Sequence, residues 1–256
     1  MTDTAPVAVV TGAAQGIGQR IAEVLAAAGF ALALIDRQPI ASRPGTLGLT
    51  GDVSDDADVA SFAAAVEETY GRVDVLVNNA GIACISPAEQ TAPALWRQVL
   101  EVNLTGPFLL CQAFGRRMLA QRSGSIINIA SIAGLRGVAD RSAYNASKHG
   151  LIGLTQTLAV EWGGRGVRVN AVCPGWVKTP MDDESQGEGA YGDTDITDHV
   201  PMARFATPED IAQAVAFLAN PTASAFVNGV SLSVDGGWGA DASWQSLRLA
   251  ARARQP

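Results

Sequence analysis

Residues 7–36 read VAVVTGAAQGIGQRIAEVLAAAGFALALID. The first five are apolar and rich in β-branched side chains, as suits a strand buried on both faces. A glycine-rich turn follows. Ile21, Val24 and Leu25 then recur at helical spacing, and Gly29 supplies a stop. Residues 30–35 (FALALI) are again continuously apolar, and Asp36 closes the run. Strand, turn, helix and strand in this order open a parallel sheet with crossover helices.

The alternation continues along the chain. Spacing predicts helices over 58–70, 94–114, 144–162 and 208–218, the last capped by Thr207. Apolar runs predict strands over 73–78, 124–129, 167–172 and 229–234. About seven strands alternating with helices make an α/β fold. It is a Rossmann-type, doubly wound, mostly parallel seven-stranded sheet with helices on both faces. With 256 residues and neither repeat nor low-complexity linker, the chain reads as a single domain. Two stretches break the pattern. Residues 37–52, with Pro39 and Pro44, leave little room for a crossover helix. Residues 181–202 are polar, carry Gly187, Gly189 and Gly192 and lack Lys and Arg. They read as a mobile lid over about 181–204 rather than a core element. Residues 240–256 form a C-terminal extension in which Trp244, Leu247 and Leu249 could pack on a neighbour.

An apolar share of 48% supports a sizeable core, and only 17% charged residues argue against disorder. A net charge of −7 gives no general attraction to nucleic acid or anionic membranes. Neither a signal peptide nor a membrane-spanning run is expected. Cys84, Cys111 and Cys173 are scattered and only two histidines occur, so no metal site or disulfide framework is expected. Unpaired thiols fit a reducing, cytoplasmic setting.

The turn after the first strand is suited to a pyrophosphate. Gly12, Gly16 and Gly18, spaced GxxxGxG, allow close backbone approach. The helix opening at Ile17 directs its N–H groups and positive dipole end at the phosphates. Asp36, at the tip of the second strand, can accept hydrogen bonds from both ribose hydroxyls and would repel a 2′-phosphate. Gln15 adds no positive charge, and Arg37 stands behind Asp36. The expected cofactor is therefore NAD rather than NADP. Asp52 and Val53 follow the third strand and could flank the adenine. Asn79, Ala80 and Gly81 close the fourth, where small residues admit a cofactor.

Tyr144 and Lys148, four apart, share one helix face. A phenol is a poor base near neutrality, and an adjacent ammonium should stabilise the phenolate and lower its pKa. Such a pair can accept a proton from an alcohol or give one to a ketone. Ser131 lies just past an apolar strand, at the edge where open parallel sheets bind ligands. Asn103, inside a helix between Val102 and Leu104, needs a polar partner.

Taken together these pieces resemble the classical short-chain dehydrogenases/reductases, across about residues 5–239. The resemblance is carried by TGAAQGIG, Asp36, Asp52-Val53, NNAG, the VNLTGPF segment around Asn103, Ser131, YNASK, Pro174-Gly175, Thr179 and VDGG at 234–237. It implies that Tyr144 is the acid/base, and that Lys148 holds the nicotinamide ribose and tunes Tyr144. By the same resemblance Ser131 binds the substrate oxygen and Asn103 supports a proton relay through water. Pro174, Gly175, Val177 and Thr179 would hold the nicotinamide end. It also implies a homotetramer. In 3-hydroxybutyrate dehydrogenases, members of this family, a Lys at position 141 anchors a substrate carboxylate and a Trp at position 176 lines the pocket. Arg141 and Trp176 are accordingly candidate substrate residues. Ala83 and Ala133 stand where that subgroup carries polar residues, so hydroxy acids, sugar acids and polyols all remain open.

The leading expectation is an NAD-dependent oxidoreductase acting on a secondary alcohol or ketone of a small polar substrate. The alternatives are an NADPH-dependent 3-oxoacyl thioester (acyl-carrier-protein) reductase and a non-catalytic dinucleotide-sensing regulator.

Overall fold

The computed structural model describes residues 5–179 and 192–243. Its strands are β1 (Val7–Thr11), β2 (Ala31–Asp36), β3 (Thr46–Thr50), β4 (Val75–Asn78), β5 (Gly124–Ile129), β6 (Val167–Pro174) and β7 (Ser231–Val234). Its helices are α1 (Gly16–Ala27), α2 (Asp56–Tyr70), α3 (Pro93–Leu100), α4 (Gly106–Gln121), α5 (Ser142–Gly163), α6 (Asp193–Thr197) and α7 (Pro208–Ala219). The sheet order is β3-β2-β1-β4-β5-β6-β7. Every pairing in it is parallel, so the sheet is wholly rather than mostly parallel. This is the Rossmann-type doubly wound architecture.

Strand side chains alternate between faces, and here both faces are covered. Ala8 and Val10 of β1, Leu32 and Leu34 of β2, and Val75 and Val77 of β4 pack with Ile21 and Leu25 of α1 and Ile211 and Val215 of α7. Val9, Ala33, Ile35 and Leu76 point the other way, onto Phe62 and Val66 of α2 and Leu110 and Phe114 of α4. Two-sided burial is why these strands read as unbroken apolar runs. The connection from β1 runs to β2 on one side and that from β4 to β5 on the other, which opens a crevice at the carboxyl ends of β1 and β4.

Local chemistry sets the boundaries. Residues 37–45 contain no helix, as their length required, and Gly45 turns the chain into β3 with φ +74°. The helix expected over 94–114 is divided. α3 ends at Leu100, a π-turn spans Glu101–Thr105, and α4 runs on to Gln121. Gly106 donates its N–H to Glu101, five residues back. Pro107 has no N–H to offer the Asn103 carbonyl, so a regular α-helical ladder cannot pass this point. Thr207 and Asp210 form a reciprocal cap on α7.

The reading of residues 181–202 as free of core elements is corrected for its described part. α6 forms there, and Ile196 and Val200 are buried. Two apolar anchors suffice, and the surrounding acids concealed them. Residues 180–191, with Asp182, Asp183, Glu184 and Glu188, lie outside the described residues, as do 244–256 with Trp244, Leu247 and Leu249. Among the described residues, no helix is long and apolar enough to cross a membrane.

Candidate active site

One cleft of about 340 Å³ runs along the carboxyl edge of the sheet. Gly12, Gln15, Gly16, Ile17, Asp36 and Arg37 line one end, and Ser131, Arg141, Tyr144, Lys148 and Trp176 the other. Asp52, Val53, Asn79, Ala80 and Gly81 also line it, as do Pro174, Gly175, Val177 and Thr179. Of the candidate catalytic, cofactor and substrate residues named from the sequence, Gly18 and Asn103 alone do not line it.

At the first end the backbone is shaped for close approach. Gly12 has φ +63° and Gly16 φ +58°. A Cβ on Gly12 would lie 2.9 Å from the Ala80 Cα, and one on Gly18 would lie 2.1 Å from the Gly12 carbonyl oxygen. Gly18 thus works beneath the turn, allowing it to close on α1, rather than facing a ligand. Asn79 staples the turn from the other side. Its Nδ2 donates to the carbonyls of Thr11 at 3.0 Å and Gly12 at 3.1 Å. The Thr11 hydroxyl accepts the N–H groups of Asn79 and Ala80. The N-terminus of α1 carries no side-chain cap and no acid in its first turn. Its leading N–H groups remain available to an anion. These features fit a dinucleotide pyrophosphate.

The Asp36 carboxylate accepts from Ala14 N at 3.0 Å and Gln38 N at 2.9 Å. The first bond ties the β2 tip to the glycine turn, the second is local to the segment after β2, and further lone pairs remain for ribose hydroxyls. Arg37 leans away from Asp36, with its Nε 3.8 Å from Asp52 Oδ2.

At the second end α5 brings Tyr144 and Lys148 to the cleft. Lys148 is 4% exposed and its Nζ donates to the Ile129 carbonyl at 2.8 Å. The same Nζ lies 5.6 Å from the centre of the Tyr144 ring. Ser131 stands where β5 ends, its Oγ accepting from Ala133 N at 3.1 Å. The expected lowering of the Tyr144 pKa is not what these side chains produce. Burial pushes the phenol up, and the hydrogen bond with Ser131 and the charge of Arg141 offset this only in part. Lys148 is itself pushed down to about 8 by burial, with Cys173 acting weakly the other way. The amine is more deeply buried than the phenol it was expected to tune, and it is aimed at a main-chain carbonyl.

Asn103 is fully buried and has the polar partners its position demanded. Its Oδ1 accepts from Ile82 N at 2.9 Å, and its Nδ2 donates to Ile82 O at 2.9 Å and Ser147 Oγ at 3.2 Å. Ser147 in turn donates to the Tyr144 carbonyl at 2.7 Å. The side chain therefore ties the segment after Gly81 to the helix that carries Tyr144.

Arg141 opens α5. The preceding Asp140 has φ +56°, and its carbonyl accepts from Ser86 N at 2.7 Å. This turn points the Arg141 guanidinium over the Trp176 ring, 5.3 Å from its centre. Ile82, Ile132 and Val138 complete the apolar wall. Sequence reasoning missed them because isolated apolar residues in loops carry no periodic signal. His149 bonds its own helix at Asn145 O, and His199 lies against Trp238 at 5.2 Å between ring centres. Neither lines the cleft.

A family model described as enoyl-(acyl carrier protein) reductase matches residues 12–239. D-threitol dehydrogenase of Mycolicibacterium smegmatis is 43% identical, over 91% of this chain and 92% of its own. Galactitol 2-dehydrogenase (L-tagatose-forming) of Cereibacter sphaeroides is also 43% identical, over 90% and 94%. A crystal structure of gluconate 5-dehydrogenase from Burkholderia cenocepacia, in complex with NADP and tartrate, superposes with a TM-score of 0.87 at 31% identity, covering 92% of this chain and 96% of that one.

The depressed pKa of Lys148 has a consequence for stability. Below about pH 8 the folded protein buries a charge that the unfolded chain keeps hydrated. The penalty is about 3 kcal/mol, and it fades as pH rises from about 8 toward the ordinary lysine value. Lys148→Met removes the charge and also the hydrogen bond to Ile129, which contributes about 1 kcal/mol. The variant is expected to show a higher Tm than the parent at pH 7, a gap that narrows by pH 10, and no turnover. A lower Tm at pH 7 would mean that the carbonyl contact outweighs the burial penalty.

Proposed function

The chain belongs to the short-chain dehydrogenase/reductase family, and on that footing we propose that it is an NAD-dependent alcohol dehydrogenase/ketone reductase. Its substrate would be the secondary hydroxyl or ketone of a polyol, sugar acid or small hydroxy acid. One observation carries the reading. A single cleft has a glycine-shaped anion seat at one end and a Ser131–Tyr144–Lys148 cluster at the other.

The nicotinamide would take up or supply the hydride. Tyr144 would pass the proton to or from the reacting oxygen at its phenol. The Ser131 hydroxyl, which faces the same cleft, would hold the same oxygen and stabilise its developing charge. Lys148 would hold the ribose beside the ring and, when charged, favour the phenolate. The raised pKa of free Tyr144 suits a proton donor to ketones, and alcohol oxidation gains from any added positive charge near the ring. Asn103, held by Ile82 and Ser147, would support the relay by fixing this corner. Pro174, Gly175, Val177 and Thr179 would seat the nicotinamide end.

The preference for NAD rests on Asp36, which no described cation neutralises and which would face a 2′-phosphate. Substrate choice rests on Arg141 and Trp176 at the cleft wall, and polyol dehydrogenases among the relatives support polyhydroxylated substrates. A 3-oxoacyl thioester reductase using NADPH is the second reading, favoured by a relative from Synechocystis, a 3-oxoacyl-[acyl-carrier-protein] reductase 37% identical over 91% of this chain. For assembly the reading is a single-domain protomer in a homotetramer. Exposed Phe108 on α4 and Val160 on α5 support contact through those helices. Three buried free thiols support a cytoplasmic setting.

A panel of polyols, sugar acids and hydroxy acids tested with both cofactors addresses the whole reading. NAD should give the higher kcat/KM on at least one secondary alcohol. Tyr144→Phe should lower kcat by at least about a hundredfold while leaving NAD affinity within twofold. Tighter NADPH binding would defeat the role given to Asp36, and an active Tyr144→Phe enzyme would defeat the mechanism. Arg141→Ala should raise KM tenfold or more for acidic substrates, the loss of about 1.4 kcal/mol of charge-assisted binding, and little for neutral polyols. Equal effects on both classes would show that Arg141 does not read a carboxylate.

A further inference from the structure

A chain of buried hydrogen bonds that the proposed chemistry does not use runs from the sheet into α5. Asn78 on β4 is 2% exposed, and Asn128 on β5 and Thr155 on α5 are fully buried. The two asparagines are cross-strand partners. Asn78 Nδ2 donates to Asn128 Oδ1 at 2.8 Å, Asn128 Nδ2 donates to Thr155 Oγ1 at 2.8 Å, and Thr155 Oγ1 donates to the Leu151 carbonyl at 2.8 Å. Thr155 Oγ1 thus both accepts from the sheet and donates within its own helix, and Asn78 Nδ2 also reaches Cys111 Sγ at 3.3 Å.

The location of this chain gives it a consequence. Thr155 lies seven residues after Lys148, two helical turns and about 10 Å further along the same face. Asn128 directly precedes Ile129, whose carbonyl receives Lys148 Nζ. α5 is thus fastened to β5 at two points, by a threonine hydroxyl and by the ammonium itself. The rest of its seat on the sheet is apolar and lies mainly on β6, where Leu151 and Ile152 meet Ala171 and Cys173. Apolar packing has little directional preference and tolerates small slides and rotations of a helix. A short hydrogen bond in a dry interior does not.

We propose that Asn128 and Thr155 are positioning residues whose hydrogen bond fixes the register of α5 on β5, and thereby the placement of Tyr144 and Lys148 against Ser131. The catalytic consequence rests on the dehydrogenase reading above; the register itself does not.

Thr155→Val keeps the shape and removes the hydroxyl, Thr155→Ala leaves space for a water at Asn128, and Thr155→Ser keeps the hydroxyl. In the Val and Ala variants kcat should fall at least about tenfold, the scale of a sub-ångström misplacement of a reacting group. KM for NAD, set mainly by the glycine turn and Asp36 at the far end of the cleft, should rise by less than kcat falls, and Thr155→Ser should recover kcat to within twofold of the parent. Hydrogen exchange along α5, measured without nicotinamide, should be at least tenfold faster in the Val and Ala variants and near parental in Ser. If Val fails to fold, Ala gives the same readings. Parental kcat in a folded Val or Ala variant would overturn the proposal. So would a rise in KM for NAD that matches the fall in kcat, or a Ser variant as impaired as Val. Should the parent oxidise no alcohol, the dehydrogenase reading fails while the exchange measurement still decides the register: unchanged α5 exchange in Val and Ala would overturn it.

Discussion

An ammonium group buried at the end of a sheet, with a main-chain carbonyl as its acceptor, is the constraint around which this protein is arranged. Lys148 reaches Ile129 at 2.8 Å from a helix seated mainly on the neighbouring β6, and no described carboxylate pairs with it. A charge held this way costs stability. It persists only where the surrounding structure leaves it no alternative. Here that structure is the apolar seat of α5, the Asn128–Thr155 bond two turns away, and the Asn103–Ser147 link at the start of the helix. Proteins break local rules of this kind chiefly at functional sites.

The two ends of the cleft depend on the same strands. β1 delivers the glycine turn, β4 the Asn79 staple and β5 the serine and the lysine's acceptor. Because β1, β4 and β5 lie near the switch in sheet order, one crevice collects all three. The anion seat and the proton-handling group are therefore set at a fixed separation by the sheet rather than by any loop. The loops contribute the parts that vary, with Arg141 aimed by the Asp140 turn and Trp176 carried past β6.

Much of this was legible in the sequence because burial on two faces leaves a plain mark. The strands read as apolar runs, and Val7–Thr11 emerged with its ends in place. The cleft residues were readable because glycines, an acidic strand tip and a Tyr/Lys pair at helical spacing each answer to a specific physical demand. Other features needed three dimensions. The π-turn at Glu101–Thr105 was signalled only by Gly106-Pro107, which a helical pattern with apolar flanks overrides. α6 hid because Ile196 and Val200 are too few to set a period. The pKa of Tyr144 was misjudged because spacing shows that an amine is near but not how dry both groups are. The close approach of Gly18 to the Gly12 carbonyl, which lets the turn close on α1, could not be read from spacing.

The central claim is that this cleft moves a hydride between a carbinol carbon and a nicotinamide. A polyol deuterated at its secondary carbons, incubated with NAD and the enzyme, tests it most directly by mass spectrometry of the reduced cofactor. One deuterium per reduced nicotinamide, with slowed turnover relative to the protiated polyol, is the predicted result. Reduced cofactor without the label, or substrate consumed with no reduced cofactor formed, would contradict it.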